Sequence, residues 1–326
     1  MPLGLYHGYM TNTDATLQSA LTLLGELGWR VTDCQSEVFG PGGTLGRETR
    51  SDVVLMDRLL PVLRRLNPLA NESSLSLAVD ELVRDRGSMD LIVANREVHL
   101  LLLDGFRRVD PGEAPPEDSE QAVRYIDWDH PETNDFLVAG AFGVTGEKST
   151  CRCGLVGFVN GIPLAVLEVS SAHRDLERAF EATLVEYERA VPQLFWYNAF
   201  SILSNGSESR VGPVGAAWEH FGTWKRAVTE EEPPCRSLEN AIRGTCERSR
   251  FLDLVENAFL FVAAAGGPVK MMAKNHQYLG VGSALEALRD RAINENGLGM
   301  FWHAPGSGKG ISLILFVQSV LRKMHG

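Results

Sequence analysis

The stretch CRCGLVGFVNGIPLAVLEVSSAH, residues 151–173, carries the reading of the fold. Two β-rich runs, Leu155–Val159 and Pro163–Val169, flank the pair Asn160-Gly161. An Asn-Gly pair tolerates the left-handed conformation that a tight turn between antiparallel strands requires, so these residues predict a β-hairpin. Its second strand ends with an acid, Glu168, and Leu176–Arg189 then shows helical spacing before Pro192. A carboxylate at such a strand end is more often solvated or ion-paired than chemical, so its neighbours decide its meaning.

Working outward, Asp135–Val144 and Val123–Asp127 read as further strands. Phe200–Leu203 and Ser209–Val211 read as another β pair turning at Asn205-Gly206. The first third is helical instead: Ala15–Leu27 after a possible Asp14 cap, Val53–Leu66 stopped by Asn67-Pro68, Ser74–Arg86 and Asp90–Leu103. A Gly/Pro loop spans Gly40–Gly46, with a short extended segment over Trp29–Val38 before it. Asp110–Ser119 and Arg226–Arg236 read as polar loops. A domain boundary is expected between Phe251 and Gly267, dividing the chain into residues 1–255 and 256–326. The second unit would hold a helix over Ser283–Ile293, a short strand at Met300–His303 and a last helix. The architecture is therefore α/β, a mixed central sheet with N-terminal helices.

Length and composition agree with two folded units: 326 residues, 44% hydrophobic and 22% charged. No apolar run approaches a membrane span, and the N-terminus lacks the basic-then-apolar pattern of a secretory signal. Five cysteines, with only Cys151 and Cys153 close together, fit reduced thiols in the cytoplasm better than a zinc site. The net charge of −11 counts against an isolated non-specific DNA binder, although local basic patches remain compatible with it. The cations are 25 Arg and only 6 Lys, so any chemistry that needs lysine has few candidates.

Two motifs bear on chemistry. FWHAPGSGKGIS, residues 301–312, has the strand, Gly-rich turn and apolar helix of a phosphate-binding loop. Gly306, Ser307 and Gly308 would turn backbone N–H groups inward, and Lys309 would reach the phosphates. The plain alternative is a Gly-rich turn that happens to contain a lysine. His303 replaces the first glycine of the pattern, and Gly310 replaces the hydroxyl residue that binds Mg²⁺. The second motif is the hairpin, acid and helix around Glu168, which matches the core of the PD-(D/E)xK nuclease site. That chemistry needs two carboxylates on Mg²⁺ and a lysine to polarise the attacking water.

On these residues the chain resembles the N-terminal part of the R subunit of type I restriction enzymes. The resemblance includes TRSDVVLMDRLLPVLRRLNP, YIDWDHPETNDFLVAGAF, FVNGIPLAVLEV, VPQLFWYNAFSILSNGSESRVG, WEHFGTWK, SRFLDLVENAFLF, KNHQYLGV and FWHAPGSGKG, all in family order. It implies a PD-(D/E)xK nuclease domain followed by the start of a RecA-like helicase motor, which this chain is expected to leave after one helix. It also implies Mg²⁺ and ATP as cofactors. The implied partners are double-stranded DNA and the modification and specificity subunits.

Carried onto this sequence, the resemblance assigns the family's metal-binding Asp, Glu and Lys to Gly154, Glu168 and Ser170. The helical Gln and Tyr fall on Thr183 and Tyr187, and the adenine-reading Gln on Gln277, beside His276. Gly154, Ser170, Thr183 and Gly310 thus depart from the pattern together, while the framework around them is kept. The departures count against both cofactors here and predict a chain inactive on its own. Three alternatives follow: rescue by Asp127, Asp129 or Asp135 with Lys148, Arg152 or Arg174; a non-catalytic DNA-binding or assembly module; and a standalone ATP-binding protein.

Overall fold

The computed structural model describes residues 12–107, 122–170, 174–235, 237–294 and 305–324. In chain order the helices and strands are α1 (Asn12–Glu26), β1 (Arg30–Asp33), α2 (Met56–Leu66), α3 (Glu72–Val83) and α4 (Leu91–Asp104). There follow β2 (Phe136–Thr145), β3 (Thr150–Val159), β4 (Ile162–Val169), α5 (Leu176–Ala190), α6 (Pro192–Phe195), β5 (Phe200–Ser204) and β6 (Ser209–Pro213). The last elements are α7 (Leu238–Cys246), α8 (Arg248–Asn257), β7 (Phe259–Ala264), β8 (Gly267–Met272), α9 (Asn275–Asn294) and α10 (Lys309–Met324).

Six strands form one sheet in the order β1-β2-β3-β4-β5-β6. β1 runs parallel to β2 and β4 parallel to β5, while the other neighbours are antiparallel, so the sheet is mixed as the sequence suggests. The β3–β4 turn falls on Asn160 and Gly161, both with positive φ (53° and 81°), as the Asn-Gly pair requires. Asn160 is fully buried. Its Oδ1 accepts the Asp135 N–H at 2.7 Å, and its Nδ2 donates to the Tyr125 carbonyl and to Asn134 Oδ1, both at 2.8 Å. The Gly161 carbonyl accepts the Leu55 N–H just before α2, and a Cβ at Gly161 would come within 2.5 Å of the Leu55 carbonyl oxygen.

α1 lies against β1, β2, β4 and α7, and α5 packs on β3 and β5. Trp29 joins these layers: its ring meets Phe136 and Phe251 edge-on at 5.0 and 5.1 Å, and its indole N–H donates to the Cys246 carbonyl at 2.8 Å. Helix starts are capped by polar side chains where the sequence offers them, including Asn71 for α3, Asp90 for α4 and Asp175 for α5.

Two expectations change. Val123–Asp127 is not a strand; among its described contacts only Val123 makes an isolated bridge, to Phe106. Tyr125 and Ile126 are buried, but the backbone around them is met by side-chain amides, with Arg124 N–H on Asn67, the Tyr125 carbonyl on Asn160 and Asp127 N–H on Asn134. Those bonds replace a ladder. The second change is the antiparallel hairpin β7–β8, which the sequence reading passed over although Gly266-Gly267 marks its turn. The border after residue 255 falls inside α8. Met300–His303, Asp110–Ser119 and His303 itself lie outside the described residues. Among the described residues no helix is long and apolar enough to cross a membrane.

Replacing Asn160 by Ala strands the Asp135 N–H and the Tyr125 carbonyl in the interior. The expected cost is about 3 kcal/mol in urea-induced unfolding, against about 1 kcal/mol for Asn71→Ala at an exposed cap. Equal losses would show that the turn residue is no more than a local cap.

Candidate functional site

Glu168 stands near the end of β4 beside Gly154 of β3. The register that pairs Leu155 with Leu167 sets the two side by side, and the Gly154 N–H donates to Glu168 Oε1 at 2.6 Å. Tyr187 reaches the same carboxylate from α5, and its hydroxyl also donates to the Arg152 carbonyl at 2.8 Å. Ser170 follows β4 directly, two residues beyond Glu168. Its N–H donates to the Ser204 carbonyl at 2.8 Å, and its hydroxyl lies 3.5 Å from that oxygen. Thr183 is half-buried one helical turn before Tyr187. The structure therefore gathers Gly154, Glu168 and Tyr187, with Ser170 and Thr183 on the elements that carry them.

Glu168 is 8% exposed. Burial raises its pKa from the ordinary carboxylate value to about 7, with the Gly154 N–H and the Tyr187 hydroxyl pulling the other way. Burial and the neighbouring Glu168 push the Cys153 thiol and the Tyr187 phenol upward as well. A tyrosine has one proton to donate, so with Arg152 holding it, a protonated Glu168 can donate to the phenol oxygen. Ala141 adds backbone strain nearby. It has φ 54° and lies between the paired residues Gly140–Leu155 and Phe142–Cys153, level with Gly154. Alanine gives no sequence signal for that conformation.

The residues present do not fit Mg²⁺. A hard cation needs several oxygen ligands, and Glu168 offers one buried carboxylate already bonded by the Gly154 N–H and in contact with Tyr187. Among the described residues no group of three or more His, Cys, Asp or Glu side chains is placed to hold a metal ion, and no ion pair reaches Glu168. The rescue candidates are corrected by position. Asp135 bonds the Asn160 turn, Asp127 accepts from the backbone of Asp129 and His130, and Asp129 is exposed beside them. That turn lies at the other end of β4, roughly 20 Å from Glu168 at about 3.3 Å per residue. Lys148, Arg152 and Arg174 have exposed side chains, and of the three only the Arg152 carbonyl joins the cluster.

At the phosphate-loop motif, Gly306 and Gly308 have φ 76° and 83°, and α10 begins at Lys309, which is exposed. Gln277 is buried and committed to this loop. Its Oε1 accepts the Lys274 N–H at 2.9 Å, while its Nε2 donates to the carbonyls of Ser307 and Gly308 at 3.1 and 3.3 Å. His276 donates to the same Ser307 carbonyl at 3.2 Å. A Cβ at Gly308 would come within 2.5 Å of Gln277 Nε2, so glycine is needed there for space as well as for φ. Beyond the loop, α10 leaves Leu313, Ile314, Val317 and Leu321 exposed.

A mixed sheet with a carboxylate near the end of a hairpin strand, followed by a packed helix, is an architecture consistent with a nuclease-type N-terminal domain. Residues 9–220 match the family model described as Type I restriction enzyme R protein N terminus, and the chain belongs to that family. It is similar to the type I restriction enzyme HindI endonuclease subunit of Haemophilus influenzae, at 31% identity over 96% of this chain and 30% of that protein. It is also similar to the putative type I restriction enzyme MjaIXP endonuclease subunit of Methanocaldococcus jannaschii, at 23% identity over 85% of this chain and 28% of that protein. The chain thus spans less than a third of the length of these relatives.

The raised pKa of Glu168 gives a pH signature. Below about 4.5 the group is protonated in folded and unfolded chains alike. Between about 4.5 and 7 the fold retains a proton that the unfolded chain has lost, and above 7 the fold must bury a charge. Stability from this group is therefore present at low pH and lost as pH rises through that window, by about 3 kcal/mol at most. Glu168→Gln should remove this part of the pH dependence and be more stable than the parent at pH 8, as read from urea midpoints at pH 5 and pH 8. A parallel pH profile in parent and variant would show that the carboxylate ionises normally.

Proposed function

We propose that this chain is the nuclease region and motor start of a type I restriction R subunit in which the cutting chemistry has been removed while the scaffold is kept. The observation that carries the reading is the Gly154–Glu168 pair. A β-hairpin holds one acid in the required place, and the backbone N–H of a glycine occupies the position where the family pattern has its second carboxylate. On this reading residues 1–255 form the PD-(D/E)xK-like unit and 256–326 open the RecA-like one. Duplex DNA and the modification and specificity subunits are the partners. The role is holding and assembly, with no cleavage by this chain.

The loop at Gly306–Lys309 has the turn geometry to cradle a phosphate, with Lys309 as its cation. A bound nucleotide would supply phosphates to those N–H groups. Gly310 offers no hydroxyl for the metal that hydrolysis uses, so weak binding without turnover is the expectation.

The test is restoration. A Cβ at Gly154 would lie 3.1 Å from Glu168 Oε2, so an Asp there places its carboxylate against Glu168 after a shift of a few tenths of an ångström. The parent chain should leave supercoiled DNA intact in Mg²⁺ or Mn²⁺. Gly154→Asp combined with Ser170→Lys should give metal-dependent nicking, raised further by Thr183→Gln. Nicking by the parent that Glu168→Gln abolishes would overturn the reading. Silence from a well-folded triple variant would show that the scaffold has been lost too.

A further inference from the structure

We propose that a second site, an arginine-lined cleft far from Glu168, binds the phosphodiester backbone of duplex DNA. The proposal rests on reading the chain as part of a DNA-acting subunit and gives that reading a place of contact. The cleft has a volume of about 430 Å³ and lies open on one side. Arg58 and Arg65 reach it from one face of α2, Arg30 from the start of β1, and Gly43–Gly46 form its opposite wall.

The guanidinium groups are held in place without being used up. Arg58 Nη1 donates to Asp135 Oδ2 at 2.7 Å, Arg30 Nη2 lies 3.6 Å from Asp135 Oδ1, and Arg65 Nη2 donates to the Thr133 carbonyl. Each group commits one nitrogen among its described contacts, and a guanidinium carries five N–H donors. An arginine fixed in advance loses little freedom on meeting a phosphate, and its planar fork matches two phosphate oxygens.

The glycine wall is fixed too. Gly40 N–H donates to the Arg47 carbonyl and Thr44 N–H to the Val38 carbonyl, both at 2.9 Å. Arg47 itself is buried, paired with Glu37 through two nitrogens and seated 4.0 Å over the Phe142 ring. Gly46 has φ 69°, and a Cβ there would overlap the Asp57 carboxylate, so only glycine lets the loop approach α2 this closely.

Charge selects the ligand class. Three guanidinium groups against the carboxylates of Asp57 and Asp135 leave one positive charge in excess, in a chain whose net charge is −11. A phosphodiester carries one negative charge per unit, whereas a free nucleotide carries several. The cleft also has a geometric relation to the hairpin. Asp135 bonds the Asn160 turn, and Glu168 lies roughly 20 Å along β4. At about 3.4 Å per base pair that is roughly six base pairs, within one turn of a duplex. The cleft would position DNA and leave bond-breaking elsewhere.

The experiment is fluorescence anisotropy of a labelled short duplex with the full chain, titrated over about 50 to 200 mM salt. The parent should bind with steep salt dependence. Arg30→Ala, Arg58→Ala and Arg65→Ala should each lower the slope of log affinity against log salt by about one, and together cut affinity by tenfold or more. Arg30→Glu, at a position 65% exposed, repeats the test without touching the core. Arg64→Ala, which lies on the same helix but is paired with exposed Glu72 outside the cleft, should change neither quantity. Parent binding with unchanged slope and affinity in the triple variant and in Arg30→Glu would overturn the cleft and leave the DNA reading standing. A parent that shows no salt-dependent binding would overturn both.

Discussion

The fold turns on the side chain of Asn160. A residue in left-handed conformation at the tip of a hairpin would normally face water, but here it is enclosed, and its amide spends both ends on neighbouring backbone and on Asn134. One bond fixes where β2 begins, and another fixes the loop that carries Tyr125. Gly161 then passes the arrangement to α2 through Leu55. Register in a hairpin is set at its turn, and a one-residue slip would swap the faces of every side chain. The turn at Asn160 sets the first pairs of the hairpin, and a one-residue shift between Gly157 and Phe158 then brings Gly154 opposite Glu168 instead of Leu167.

What the hairpin delivers is an acid without a counter-charge. Carboxylates that hold metal are kept ionised by the cation and by neighbouring positive groups. Among the described residues no positive side chain pairs with Glu168, and desolvation is the largest influence on its titration. Its hydrogen-bonding neighbours, the Gly154 N–H and the Tyr187 phenol, are neutral. Tyr187 keeps the place that the family pattern gives it, yet it bonds the Arg152 carbonyl and so also ties α5 to β3. The cluster thus does structural work, tying β3, β4 and α5 together.

Much of this was legible in the chain. Asn-Gly turns, strand runs and helical spacing gave helices α1 to α5 and strands β2, β4, β5 and β6 within a few residues and the second half of β3, because each follows from local chemistry. The strand expected over Val123–Asp127 failed because its side chains pattern like a strand while distant amides, at Asn67, Asn134 and Asn160, take its backbone bonds. No local pattern shows that. The structure brings together Glu168, Gly154 and Tyr187, which the motif had singled out, whereas the strain at Ala141 and the engagement of Gln277 by the glycine-rich loop depend on tertiary contacts. The arginine cleft was invisible for the same reason. Arg30, Arg58 and Arg65 are scattered among 25 arginines, and only the fold brings them together.

The glycine at 154 also bears on how such a protein can change over evolutionary time. An aspartate arriving there alone would set a second acid beside one that already resists ionisation, with no cation to reconcile them. A lysine arriving alone at 170 would find a single acid and no metal. On the proposed reading, each single step toward a working centre thus passes through a form no more capable than its parent. On the same reading, recovery calls for at least two substitutions together, so gradual mutation would seldom restore the centre.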